Sequence, residues 1–302
     1  MKAWIVWAIL AFSSFSYDQE PSPAGGNYFD LSGGYYLARD NPSLDALLRD
    51  EWTVEFWIYL RGIPSPPPDS ELHGAPMRAA VSVIFEKPGS YVVYLASYYE
   101  KLKGEKYWLV NLSFLNYIEK EGVPFKFFGI TYFPDADPKV AQTPVIGPGK
   151  WHYIVLQQEG KRSLIGIDGK WSREGEEKGK WGKLDILNSD RPFYLGGRSP
   201  DEPFVEPLWI RVVLPRIVPL DGAIDELRIS NVARYHGIPP IPEGNFKRDL
   251  HTMALWHFDE PIGSLRYEDS SGRGNTLISS RFFPVNLKGK AALTWGRIKQ
   301  IP

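Results

Sequence analysis

The residue of clearest chemical interest in this sequence is Asp225, which lies in the strand-like segment GAIDELRISNVAR at residues 222–234. Side chains alternate between the two faces of a strand, so Asp225 is predicted to share a face with Ala223 and Leu227. That apolar face is expected to point inward, where a lone carboxylate is costly unless hydrogen bonds or a cation offset its burial. Two readings stay open: an aspartate that accepts backbone amide hydrogen bonds, and a ligand of a structural cation.

Local patterns of catalytic residues are absent from the sequence. Glycosidases hold two carboxylates a few ångströms apart as nucleophile and general acid, but the nearest acids here, Glu174, Glu176 and Glu177, lie in a glycine- and lysine-rich turn. There is no G-x-S-x-G motif, no H-E-x-x-H motif and no glycine-rich phosphate loop. No two histidines have metal-ligand spacing on one face; the five are His73, His152, His236, His251 and His257. We therefore predict no catalytic residue, while lyase chemistry by tyrosine and histidine stays open.

The composition excludes several kinds of partner and site. The 35 basic and 36 acidic side chains leave a net charge of −1, which gives no electrostatic basis for binding nucleic acid or an anionic membrane. The absence of cysteine excludes a disulfide framework, a thiol nucleophile and thiolate zinc sites. Because 43% of the residues are hydrophobic, the chain can still build a large core without disulfides.

The first residues have the pattern of a secretory signal peptide. Lys2 gives a positive start, residues 3–12 form an uncharged apolar run, and Ser14-Phe-Ser16 is a small-x-small cleavage signal. We predict a signal peptide at residues 1–16 and a linker at residues 17–26. The mature chain is then expected to be secreted or displayed at the cell surface, without insertion into the membrane.

The rest of the chain has the punctuation of an antiparallel sandwich, because short aromatic and β-branched stretches are separated by Gly, Pro and Asp. Residues 52–60 alternate most clearly, with Trp57 and Tyr59 on the face opposite the more apolar one. Helix is expected to be scarce, with one turn around residues 43–48. The sequence therefore predicts an all-β fold of two antiparallel sheets.

Five segments follow one another in an informative order. They are NYFDLSGGYYL at 27–37, WTVEFWI at 52–58, KWHYIV at 150–155 with IDGK at 167–170, YLGG at 194–197, and GAIDELRISNVAR at 222–234. LWHFDE at 255–260 and DSSG at 269–272 form a sixth element. Together these segments resemble the laminin-G-like, concanavalin A-like jelly-roll modules. The resemblance implies one jelly-roll domain over residues 27–282, followed by a tail at 283–302.

The resemblance also implies a structural calcium ion. Calcium takes oxygen ligands from carboxylates and backbone carbonyls, and in similar modules an aspartate that matches Asp225 joins backbone oxygens of the N-terminal strand. The further ligands that we expect are Asp30 and, in the closing elements, Asp259, with Asp269 as the alternative to Asp259. The family pattern F-D-G-x-x-D-Y-V is replaced here by FDLSGGYY, so the second acid after Asp30 is missing.

Binding of a carbohydrate or an extracellular protein is the function that the resemblance implies. Sugar rings stack on exposed aromatic faces, and Trp57 and Tyr59 are the candidates for such a platform. The usual burial of large side chains favours the other reading, in which they pack beneath a loop. Two other functions stay open. One is a structural or adhesive surface protein that binds no sugar, and the other is a glycoside hydrolase or polysaccharide lyase of the same superfamily.

Overall fold

A computed structural model describes residues 20–64, 80–102, 105–120, 123–132, 146–176, 186–198 and 216–282. The predicted signal peptide (1–16) and C-terminal tail (283–302) lie outside the described residues. Within the ranges just given, no helix is long and apolar enough to cross a membrane.

Strands dominate the described chain. They are β1 (Phe29–Asp30), β2 (Tyr36–Ala38), β3 (Glu51–Leu60), β4 (Ala80–Lys87), β5 (Tyr91–Leu102), β6 (Glu105–Lys120), β7 (Val123–Tyr132), β8 (Trp151–Glu159), β9 (Arg162–Ile167), β10 (Lys170–Glu176), β11 (Phe193–Leu195), β12 (Arg216–Ile217), β13 (Gly222–Ser230), β14 (Thr252–Trp256), β15 (Arg266–Tyr267) and β16 (Leu277–Ser279). Short 3-10 helices are found at Leu31–Gly33, Pro42–Leu48 and Ser280–Phe282.

The strands form two sheets. The first sheet has the order β1-β13-β3-β8-β9-β10, and β14 also pairs with β13. The second has the order β15-β16-β2-β11-β4-β5-β6-β7, and β12 also pairs with β4. Among the described strands, every pairing is antiparallel except that of β12 with β4. The predicted all-β, two-sheet antiparallel sandwich is confirmed.

Aromatic and aliphatic side chains from both sheets fill the space between them. Phe56 of the first sheet meets Phe85 of the second edge-on at 6.2 Å, and Phe193 of the second stacks on Trp256 of the first at 5.5 Å. Such contacts require alternate residues of each strand to point inward, as the alternation in residues 52–60 predicted. This inter-sheet core holds the two sheets face to face.

Two elements show where local sequence reasoning was sufficient and where it was not. The helical turn expected around residues 43–48 is the 3-10 helix Pro42–Leu48, which begins where the Asn41 side chain accepts a hydrogen bond from the Ser43 backbone N–H. In contrast, β4 was not predicted. All eight of its residues are buried, so its sequence has no alternation of apolar and polar residues to identify it.

The outer face of the first sheet is also buried, and it contains a network of charged and hydroxyl groups around Glu55. The Glu55 carboxylate is fully buried; Arg228 donates to it at 2.7 and 2.8 Å, and the hydroxyls of Tyr153 and Tyr235 donate to it at 2.5 and 2.7 Å. A second guanidinium, that of Arg234, lies 3.7 Å away. Burial and the negative charge of Glu55 raise the pKa of both tyrosine hydroxyls, that of Tyr235 to about 12. Both hydroxyls therefore keep their protons and act as hydrogen-bond donors. The network joins β3, β8 and β13 to the chain that follows β13.

We predict that Glu55→Gln lowers the free energy of unfolding by about 3–5 kcal/mol, because it removes one partner of a buried ion pair and leaves Arg228 uncompensated. Thermal or urea unfolding would measure the loss. Glu51→Gln is the matched control, since Glu51 is exposed on the same strand, and a surface change of this kind alters stability by less than about 0.5 kcal/mol. Equal effects of the two substitutions would contradict the role given to Glu55.

Candidate functional site

The site is built on an irregularity in β13. In the pairing of β13 with β3, Asp225 is opposite Trp57 and Arg228 is opposite Glu55. Two residues of β13 therefore lie between these pairs where β3 has one. The extra residue is Glu226, which has a φ of +53°. A bulge of this kind shifts the alternation of faces by one residue. Ile224 and Leu227 therefore both lie in the inter-sheet core, whereas Ala223 lies in the aromatic cluster on the outer face.

The face predicted for Asp225 was therefore wrong. Asp225 is fully buried, as expected, but it lies on the outer face of the first sheet beside Trp57 rather than in the inter-sheet core with Leu227. The physical reason is the bulge, because strict alternation along residues 222–229 does not allow for an inserted residue. The expectation of a costly buried carboxylate still holds at the new location.

A gap between two pairings surrounds the bulge. On one edge, β13 pairs with β1 at Ala223 and Ile224 and then with β14 from Leu227 onward, so Asp225 and Glu226 lie between the two partners. The chain leaving β14 and the N-terminal chain approaching β1 both pass this gap. Gly26 has a φ of +69°, and a Cβ atom on it would lie 1.9 Å from Oδ1 of Asp259. Only glycine therefore allows the N-terminal chain to approach the Asp259 carboxylate this closely.

Asp225 has hydrogen-bond donors but no paired cation among the contacts of the described residues. The Ser22 hydroxyl donates to Oδ2, and the Glu226 backbone N–H donates to Oδ1 at 2.9 Å. Burial is the main cause that raises the pKa of Asp225 to about 8; the negative charges of Glu226 and Asp259 add to this rise, and the two hydrogen bonds oppose it. Asp225 thus accepts a backbone amide hydrogen bond, as the first of its two readings predicted, and the donor is the next residue, Glu226.

Glu226 and His257 form a second pair in the gap. The His257 Nδ1 atom lies 2.7 and 2.9 Å from the two carboxylate oxygens of Glu226, and the Phe246 backbone N–H donates to the same carboxylate at 2.8 Å. The hydrogen bond with Glu226 raises the pKa of His257, and the charges of Glu226, Asp259 and Glu260 raise it further against the opposing effect of burial. The raised pKa favours the protonated imidazole, and its carboxylate partner in the gap is Glu226.

Asp259 lies at the solvent side of this gap. Its backbone carbonyl accepts a hydrogen bond from Asn27 at 2.9 Å, and its carboxylate is 3.4 Å from the Asn245 amide nitrogen. An open depression of about 340 Å³ borders it, lined by His257, Asp259, Glu260, Glu268 and Ser270. Asp225, Glu226 and Asp259 thus place three carboxylates around one gap in the sheet edge.

Asp30, the third predicted metal ligand, is paired with Ser32 and Arg61. One of its carboxylate oxygens accepts hydrogen bonds from the backbone and side chain of Ser32, and the other forms an ion pair with Arg61 at 2.6 Å. Burial opposes the effect of these contacts, but together they hold the pKa of Asp30 below its usual value. Within the described part of the chain, no group of three or more His, Asp or Glu side chains is arranged to hold a metal ion. The negative charge of Asp259 acts on Asp225, whereas Asp30 is paired with Arg61.

The predicted aromatic platform is not exposed. Trp57 and Tyr59 are each only 5% exposed, and both pack in a cluster with Trp151 and Ala24. The expectation of an open stacking surface was therefore wrong for this arrangement, because a sugar ring cannot reach a face that protein already covers. The alternative, packing beneath another segment, is what the structure contains.

Part of the covering segment was predicted to be a linker. Of residues 17–26, those from Glu20 onward are described, and Ser22 and Ala24 are buried against the first sheet. The backbone carbonyl of Glu20 accepts a hydrogen bond from the Trp151 indole N–H at 2.8 Å. Composition indicated a linker because Pro and Gly dominate the segment, but small side chains are also the ones that fit closely against aromatic rings.

Sequence reasoning missed three of the residues at this site. Glu226 and His257 occur inside the segments that carry the family resemblance, directly beside Asp225 and near Asp259, so their position in those motifs was an available signal. Ser22 had no such signal. Its contact with Asp225 joins residues 203 positions apart and depends entirely on the path of the N-terminal chain.

The pH dependence of stability tests the environment of Asp225. An aspartate has a pKa near 3.9 in an unfolded chain, whereas that of Asp225 in the folded protein is about 8. The native state therefore binds the proton more tightly, so the stability that Asp225 contributes is full below about pH 4 and is lost as pH rises towards 8. We predict that Asp225→Asn, which is uncharged throughout, flattens this fall and raises the thermal midpoint at pH 9 by roughly 3–8 °C in the absence of divalent cations.

The matched control for this experiment is Asp249→Asn. The pKa of Asp249 is lowered, chiefly by the hydrogen bonds from Arg234, so its contribution to stability is lost on acidification rather than at high pH. The control should therefore destabilise the protein at pH 9. A wild-type midpoint that does not fall between pH 5 and pH 9 in chelator, and is not raised there by Asp225→Asn, would contradict the raised pKa.

Comparison with known proteins gives limited information. No protein-family model matches the chain, and no curated protein matches it. Among solved structures, a Bacteroides ovatus protein to which carbohydrate binding is attributed is 14% identical, with a TM-score of 0.45 over 84% of this chain and 56% of that one. The chain thus spans little more than half the length of that protein.

Two further solved structures are similar to this chain. Domains LG4-5 of mouse laminin α1 are 17% identical, with a TM-score of 0.36 over 71% of this chain and 44% of that one. Domain 4 of an extracellular arabinanase from Geobacillus stearothermophilus, solved with arabinotriose, is 14% identical, with a TM-score of 0.27 over 61% of this chain and 62% of that one.

Proposed function

We propose that this chain is a non-catalytic binding module for a carbohydrate or an extracellular protein, exported by its N-terminal signal. The observation that supports the proposal is the location of the segments that resemble laminin-G-like modules. They fall within β1 to β3, β8, the β9–β10 turn, β11, β13 and the β14 exit, which belong to one two-sheet sandwich. Three of them, at β1, β13 and the exit of β14, meet at the gap around Asp225.

The chemistry of the buried acids supports binding over catalysis. A glycosidase needs one carboxylate that attacks or activates water and a second that delivers a proton. Glu55 is held by Arg228 and by the hydroxyls of Tyr153 and Tyr235, which leaves it neither a free base nor a proton donor. Glu226 is held by His257 and a backbone amide. These acids stabilise the fold in the proposed role.

A structural cation at the gap is the second part of the proposal. The charges that act most strongly on Asp225 are those of Glu226 and Asp259, and both are negative. Carboxylate oxygens of this kind fit a hard cation such as calcium, which completes its coordination with backbone carbonyls and water. Asp225 and Asp259 are the side chains that would hold the ion, and it would neutralise the charge that otherwise raises the pKa of Asp225.

Glycan binding is the direct test of the proposed function. We predict that the purified protein binds members of a glycan array with dissociation constants in the micromolar to millimolar range typical of a single shallow site, roughly 4–8 kcal/mol of binding free energy. No polysaccharide bound should be cleaved, as reducing-end and unsaturation assays would check. Binding to extracellular proteins but to no glycan would favour the adhesive alternative, and turnover abolished by replacing one acid would contradict the non-catalytic assignment.

Chelation tests the cation separately. If a cation binds only the folded state, saturating calcium raises the thermal midpoint by mass action; at one hundred times the dissociation constant the gain is about 2.7 kcal/mol. We predict that EDTA removes this gain in the wild type and that Asp225→Asn abolishes most of the calcium response. Asp30→Asn is the control, because Asp30 is paired with Arg61 and should leave the calcium response intact. Equal melting of the calcium-loaded and chelated wild type would contradict the cation.

A further inference from the structure

The N-terminal residues 20–24 cover an aromatic surface with few attachments, and we refer to them as the cover. Only two of their side chains, Ser22 and Ala24, are buried, and both are small. Ala24 packs in one cluster with Trp57, Tyr59 and Trp151, to which Tyr153 and Phe246 also belong. The direct hydrogen bond from the cover to these rings is the one between the Glu20 carbonyl and Trp151. Since hydrophobic stabilisation grows with the apolar area removed from water, a serine and an alanine stabilise the closed position far less than the large side chains stabilise the inter-sheet core.

Hydrogen bonds from the cover to the sheet come from isolated groups and not from a strand ladder. The cover contains no strand in the described chain, and the turn that follows it is closed internally by the Gly25 N–H and the Ser22 carbonyl at 2.9 Å. Its attachments to the sheet are the Ser22 hydroxyl on Asp225 and the Glu20 carbonyl on the Trp151 indole. Two such bonds can break without disturbing any pairing between strands.

The aromatic cluster in which Ala24 packs contains a buried hydrogen-bond donor without a partner in the described chain. Within the described residues, the indole N–H of Trp57 has no hydrogen-bond partner, although Trp57 is only 5% exposed. A buried donor of this kind lowers the stability of the cluster in which Ala24 packs.

The chain also has a natural pivot at the end of the cover. Gly25 and Gly26 have φ values of +85° and +69°, in a region where glycine is not penalised, and Gly25 has open space around it. Beyond the pivot, Asn27 is anchored to the Asp259 carbonyl and Phe29 enters the core as part of β1. Motion about the two glycines would move the cover and leave β1 in place.

We propose that residues 20–24 open and close about Gly25 and Gly26 while the sandwich stays folded, and thereby control access to the surface formed by Trp57, Tyr59 and Trp151. The opening is a local event of the kind that low-stability segments undergo in native proteins. It would give Trp57 and Tyr59 the exposure that an aromatic binding surface needs, as a minor state. The proposal depends on the packing of the cover and stands whether or not a carbohydrate binds.

The absence of cysteine from the chain allows a clean test. Ala24→Cys places a single thiol on the buried side of the cover, and Val54→Cys places one in the inter-sheet core, where cysteine is smaller than the residue that it replaces. A bulky maleimide that cannot enter the closed structure then reports opening at each position. We expect the thiol at position 24 to react at least about 100-fold faster than the thiol at position 54, with little dependence on dilute urea.

A second substitution separates opening from static exposure. Adding Ser22→Ala to each cysteine variant removes the hydroxyl that holds the cover on Asp225. It should accelerate labelling at position 24 several-fold without making that rate steeply dependent on urea. The rate at position 54 should rise by no more than the same factor and keep its steep urea dependence, because global unfolding also breaks this contact. The proposal is overturned if the two thiols react at the same rate with the same urea dependence, since the cover then opens only when the protein unfolds. It is equally overturned if labelling at position 24 is fast but indifferent to Ser22→Ala.

Discussion

The extra residue in β13 is the constraint on which the rest of the site depends. Because Glu226 interrupts the alternation between Asp225 and Arg228, Ile224 and Leu227 can both face the inter-sheet core while two adjacent acids face away from it. Without the bulge, one of these positions would place a carboxylate in the apolar inter-sheet core, where burial of a charge is costly. A φ of +53° at Glu226 costs some backbone strain. The hydrogen bonds of its carboxylate to His257 and Phe246 hold it in that conformation.

The outer face of the first sheet is buried although it contains charged groups, and two clusters of these groups are stabilised in different ways. Around Glu55 the solution is complete pairing, since two arginines and two tyrosines surround one carboxylate. Around Asp225 the compensation is partial, because the surrounding charges are negative and hydrogen bonds come only from a hydroxyl and an amide. The two clusters lie on the same sheet and differ in the sign of their neighbours. That difference leaves the Glu55 carboxylate fully paired, whereas Asp225 has the raised pKa on which the proposed cation site is based.

The proposed cover is in contact with the proposed cation site, and this links them physically. Ser22 contacts Asp225, and Gly26 passes against Asp259, so whatever neutralises the acids also acts on the segment that lies over them. Any ligand that binds the closed arrangement better than the open one will shift that equilibrium by its difference in affinity. Under these proposals, access of a ligand to the aromatic cluster of the first sheet depends on whether Asp225 and Asp259 are neutralised.

The sequence by itself determined the fold class, because alternation in stretches such as residues 52–60 and frequent turn residues leave few alternatives to an antiparallel sandwich. It also identified Asp225 as a buried acid and Asp259 as a nearby one. Only the tertiary structure decided on which face Asp225 lies, since a one-residue bulge has no signature in a pattern of period two. It likewise committed Asp30 to Arg61, buried Trp57 and Tyr59, and brought Ser22 to Asp225 across 203 residues. Such contacts depend on where distant segments pack, and local residue types do not encode that.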